Sequence, residues 1–190
     1  MRHKLQISTI MEIKISSKQM LQIWYVLSWV IFIGLCVDAG SFIFNAFFTM
    51  VINPINASYF DLSGLYEFDH GYFLVMLLLM GIVGVLKAIM FYLIVKILHD
   101  KKLNLTEPFN IEMKRFIYNM SYLALGIGLF SYWGAKYTKW FVEQGVTMPD
   151  IQRLQLGGAD VWLFMGIILL VIAQIFKRGI EIQSENELTV

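Results

Sequence analysis

Two charged residues, Asp38 and Lys87, stand where charge is hardest to keep, each inside a long apolar run. A charge at the centre of a membrane helix costs on the order of 3 kcal/mol, so each must face protein, water or a partner. Two chemistries fit: a structural ion pair or water-bridged polar cluster, with Asn45 or Asn119 as neighbours, or a proton or ligand site. Measured from the inner aromatic and basic markers, Asp38 lies about 21 Å in and Lys87 about 14 Å in, an offset that a lysine bridges only in part.

A second cluster lies between the first two apolar runs, where EFDH sets Glu67, Asp69 and His70 close to Asp61. This is a candidate outer-loop site for a cation or a peptide, set against the plainer reading of a solvated acidic loop. His3 and His99 have no catalytic partner in sequence. No H-E-x-x-H, G-x-S-x-G, phosphate-loop or Cys-His spacing is present, and the expectation is a non-enzymatic protein without cofactor or metal.

The elements that must position these residues follow from composition. Of 190 residues, 58% are hydrophobic and 15% charged, and the apolar ones fall in blocks. A hydrocarbon core of about 30 Å takes roughly 20 apolar residues as helix, which predicts four spans, at about 21–52, 72–98, 116–133 and 159–176. The predicted fold is an all-α integral membrane protein, a bundle of four transmembrane helices. An amino-terminal arm, 1–20, precedes it, and a polar tail, 177–190, follows.

The first apolar run is too long for a cleaved signal peptide and reads as a retained span, with Met11 a second candidate start. Cys36, the single cysteine, excludes an internal disulfide. Gly81, Gly84, Gly126 and Gly128 suit close helix packing. The stretch GAKYTKWFVEQG should prolong the third helix, with Trp133, Tyr137, Trp140 and Phe141 on one face. Met20–Trp29 faintly echoes Met113–Tyr122, as a duplicated hairpin would.

Lysine and arginine outside the spans number ten on the arm, middle loop and tail against three on the outer loops, which predicts cytoplasmic termini. A net charge of +1 with no basic face argues against direct binding of nucleic acid.

The most specific motif is the tail. In IFKRGIEIQSENELTV, the residues Phe176, Gly179, Ile182, Glu185, Asn186, Leu188, Thr189 and Val190 follow the pattern F-x-x-G-x-x-L-x-x-E-N-x-L-T-V, with isoleucine in place of the usual leucine. This resembles the carboxyl-terminal signature of the bacterial membrane family called domain of unknown function 2975. EPFNIEMKRF, residues 107–116, is similar to that family's entry into its third span.

The resemblance implies four spans, cytoplasmic termini and no agreed activity. It also implies a partner, because members are often encoded beside a small helix-turn-helix regulator. The expected function is therefore a membrane sensor or regulatory partner whose tail meets that regulator; the alternative is a small transporter or an immunity protein against a membrane-active peptide. The partners expected are the bilayer, that regulator and a second copy in a homo-oligomer. The tail itself has two readings, a docking segment or an extension of the fourth span that folds under the protein beside residues 108–116.

Overall fold

The computed structural model describes residues 17–100 and 109–187. Expectations for the rest of the arm, for most of the middle loop, and for Leu188, Thr189 and Val190 lie outside the described residues. The described chain is all-helical: α1 (Ser17–Val51), a 3-10 segment (Pro54–Phe60), α2 (Ser63–Phe68), α3 (His70–His99), α4 (Ile111–Glu143) and α5 (Ala159–Glu187).

Helix ends follow local chemistry. Asp69 caps α3 by accepting from the Tyr72 N–H at 2.9 Å, and Asn110 caps α4 by accepting from the Met113 N–H at 2.8 Å. Lys96 and His99 occupy the last turn of α3, where cations suit the carboxyl end. At the end of α4, Gly145 takes φ +82° while Val146 N–H bonds Phe141 C=O and Gly145 N–H bonds Val142 C=O, the two bonds of a Schellman turn.

α1, α3 and α5 are each long and apolar enough to cross a membrane, which marks the chain as a membrane protein. α4 is as long, but Tyr118, Asn119, Ser121, Tyr122 and Ser131 dilute its apolar stretch. It continues unbroken through the predicted prolongation to Glu143, and Phe141 is buried against Phe68 and Tyr72.

The helices pack in chain order, α1 on α3, α3 on α4 and α4 on α5, with no comparable packing between α1 and α5. Within the expected all-helical architecture, the four long helices are arranged as an open row. The reason lies in α1, where one stripe is buried (Ser28, Ala39, Phe42, Asn45, Thr49) while Val30, Val37, Ile43 and Phe47 on the other faces are exposed. A closed ring needs two contact faces per helix, and α1 has one.

Small residues set the registers. A Cβ on Gly84 would lie 3.2 Å from Ala39 of α1, and one on Gly128 would lie 2.7 Å from the Leu163 side chain and 2.9 Å from its backbone nitrogen. The hydroxyl of Ser121 donates to Gly166 C=O at 2.9 Å across the α4–α5 seam. These contacts suit an apolar medium, where association rests on close packing and interhelical hydrogen bonds. Gly81 and Gly126 meet their neighbours at ordinary contact distance and do not set the spacing.

Candidate functional site

The site forms where the segment between α4 and α5 turns back onto the helices. Asp150 opens it, accepting from the Gln152 N–H through its side chain (3.0 Å) and from the Arg153 N–H through its carbonyl (2.9 Å). One helical turn follows. It closes with Gln155 N–H to Gln152 C=O and Leu156 N–H to Ile151 C=O, the same pair of bonds that ends α4.

In α4 the left-handed position of that motif is Gly145; here it is Gln155, at φ +57°. A residue with a Cβ pays roughly 1 kcal/mol or more in that region, so something must offset it. Leu154 and Leu156, both fully buried, anchor the turn on either side. Leu156 lies against α4 so closely that a Cβ on Gly134 would come within 2.5 Å of its Cδ1.

Gln155 is thereby placed between the two membrane charges. Its Nε2 donates to Asp38 Oδ2 at 3.1 Å, and its carbonyl accepts from Lys87 Nζ at 2.9 Å. Among the described contacts Asp38 and Lys87 make no direct ion pair; the glutamine links them. The expected depth offset is also corrected. Tyr25 and His99 lie ring to ring at 6.1 Å, so Asp38 is about 20 Å and Lys87 about 18 Å above one shared level.

The other two polar residues named for this cluster stay out of it. Asn45 is buried in the α1 stripe and accepts from the Thr49 hydroxyl at 3.5 Å. Asn119 is exposed near the amino-terminal end of α4.

The acidic residues between α1 and α3 have separate tasks. Asp61, at φ +56°, pairs with Arg153 at 2.8 Å, so the segment that carries Gln155 is also tied to the connection between α1 and α3. Asp69 is the α3 cap, Glu67 is exposed, and His70 stacks on Tyr66 at 4.2 Å. No group of three His, Cys, Asp or Glu among the described residues is gathered for a metal.

At the opposite end, the tail continues α5 without a break to Glu187. Phe176 packs on Phe109 at 5.2 Å, and a Cβ on Gly179 would lie 2.6 Å from the Phe109 ring. The start of the tail therefore folds against the end of the middle loop. Ile182 and Glu185 are exposed beyond that joint.

Gln155 and Arg153 were missed in the sequence. The available signal was a polar residue between two leucines, LQL, set between a turn-opening Pro149-Asp150 and a turn-closing Gly157-Gly158.

Helices of membrane-crossing length, joined by a polar contact within their apolar stretches, define a helical membrane protein with a loop-bridged internal charge pair. The chain belongs to the family described as Protein of unknown function (DUF2975), whose model matches residues 57–190 and so begins after α1 and Asp38. Neither a curated protein nor a solved structure matches it.

Proposed function

We propose that this protein is a non-enzymatic membrane sensor or regulatory partner, crossing a bacterial plasma membrane four times with both termini in the cytoplasm. α4 is the third crossing in this reading. It is as long as its neighbours and runs between α3 and α5, and its buried Ser121 is satisfied across the seam.

The observation that carries the reading is the double contact of Gln155 with Asp38 and Lys87. It ties an outer segment, itself held to the first outer loop by Arg153 and Asp61, to charges within the membrane. That segment runs directly into α5, and α5 runs unbroken from Ala159 to the tail. A signal that displaces the segment has a rigid rod through which to move Gly179, Ile182 and Glu185 at the inner face. The acidic tail, ending in Asn186, Leu188, Thr189 and Val190, suits the basic surface of a small helix-turn-helix regulator.

The test is capture of such a regulator by the full-length protein in detergent. Deleting residues 184–190 should abolish capture while insertion and helicity stay intact; unchanged capture overturns the reading. A second reading, a small transporter or an immunity protein, is favoured by the half-buried state of both Asp38 and Lys87. It requires Asp38→Asn to remove ion or substrate flux in vesicles. The uncovered faces of α1 and α5 are open to lipid or to a second copy.

A further inference from the structure

The inner ends of α3 and α4 enclose a groove of about 170 Å³ that neither reading above uses. Four ionisable side chains line it: Lys96 and Asp100 from the end of α3, Glu112 and Arg115 from the start of α4. Leu93, Ile97 and Phe116 form its apolar wall, and Asn119 lies one turn further along α4.

Its level is fixed by the spans. Lys96 is in the last turn of α3, and Phe109 at the foot of α4 touches Phe176, where the apolar run of α5 gives way to Lys177 and Arg178. This is the depth of lipid headgroups. Among the described residues the side chains of Lys96, Arg115 and Asn119 make no hydrogen bond or ion pair, whereas Asp100 and Glu112 both have partners. Two cations thus face a groove at headgroup level without a counterion among the described residues, and two carboxylates share its rim.

The charge pattern selects a ligand. A phosphate diester accepts charge-assisted hydrogen bonds from lysine and arginine. A purely anionic headgroup would meet the carboxylates with no cation to offer, and a choline group has no N–H to donate. A primary ammonium has three N–H donors, and an engaged carboxylate keeps lone pairs to accept them. We propose that this groove binds a phospholipid with a phosphoethanolamine headgroup, the phosphate on Lys96 and Arg115, the ammonium at Glu112 and Asp100, and the acyl chains leaving along Leu93 and Phe116.

The test is native mass spectrometry of the full-length protein in detergent, titrated with dioleoyl phosphatidylethanolamine, phosphatidylglycerol and phosphatidylcholine, and with free phosphoethanolamine. Phosphatidylethanolamine should bind about fivefold or more tighter than either other lipid, and Arg115→Gln should weaken it about tenfold, the loss of one charge-assisted bond. Glu112→Gln should abolish the preference over phosphatidylglycerol. Lys177→Gln, a cation on the same membrane face that does not line the groove, should change nothing.

Equal binding of the three lipids, a preference for phosphatidylglycerol, or indifference to Arg115→Gln overturns the proposal. Competition by free phosphoethanolamine as strong as by the lipid overturns the lipid assignment in favour of a soluble ligand. Lys96→Gln, checked for helicity, carries the same test should Arg115→Gln fail to fold.

Discussion

Gln155 and Asp38, 117 positions apart, meet through an amide-to-carboxylate hydrogen bond of 3.1 Å, and Gln155 holds a left-handed backbone conformation in doing so. The strain and the contact belong together. A glycine would end the turn more cheaply, as Gly145 does for α4, but it would leave Asp38 without its donor.

A double-mutant cycle on this pair should therefore show coupling. With Asp38→Ala and Gln155→Ala, unfolding in detergent should give an interaction of about 1–2 kcal/mol, the range for a hydrogen bond to a charged group. Gln155→Gly separates the two effects. It regains about 1 kcal/mol of backbone strain and so should be less destabilising than Gln155→Ala. A cycle that closes at zero would mean the contact adds nothing.

Arg153→Ala tests the outer tie and should cost less, despite the shorter distance of 2.8 Å. Both side chains of that ion pair are more than half exposed. Such pairs contribute about 0–1 kcal/mol and fade with salt. Melting curves at low and high salt should differ for the parent and converge for the variant.

Gly128→Ala should be the harshest single methyl addition in the α4–α5 seam. The new Cβ would meet a Leu163 side chain at 2.7 Å and a backbone nitrogen at 2.9 Å, and backbone cannot swing aside. Overpacking of this kind costs about 1–3 kcal/mol, readable as a lowered melting temperature. Gly34→Ala on α1, which meets nothing within 4 Å, should be neutral by the same assay.

Gly179→Ala reports on the inner joint. Its Cβ would come within 2.6 Å of the Phe109 ring, so the variant should loosen the start of the tail and speed limited proteolysis beyond Arg178. Phe109→Leu in the same chain should restore protection, since a smaller side chain leaves room for the methyl group. Failure of that rescue would separate the Gly179 effect from the ring.

Ser131 offers a change of opposite sign. Its hydroxyl is wholly buried and has no hydrogen-bond partner among the described residues. Ser131→Ala removes that unpaired group and should raise stability by roughly 1 kcal/mol. A loss of stability would mean that the hydroxyl has found a partner.

Much of this protein was legible in its sequence because the physics involved is local. Long apolar runs give helices of membrane-crossing length, Asp69 and Asn110 cap the starts of two long helices, and the cost of charge in hydrocarbon singles out Asp38 and Lys87. Even the joint of tail and middle loop was within reach, since Phe109, Phe176 and Gly179 all fall in recognisable motifs.

The tertiary structure decided what spacing along a chain cannot. Whether Asp38 and Lys87 share a level depends on how α1 and α3 slide past each other, which Gly84 against Ala39 fixes. Whether four helices close or stay in a row depends on how many faces of α1 find a partner. That Gln155, in a loop, supplies the bridge depends on a turn whose left-handed residue is not glycine, a choice stabilised by contacts 68 and 117 positions away. Local chemistry sets where a helix begins and what it cannot bury alone; only the folded neighbours decide what meets it there.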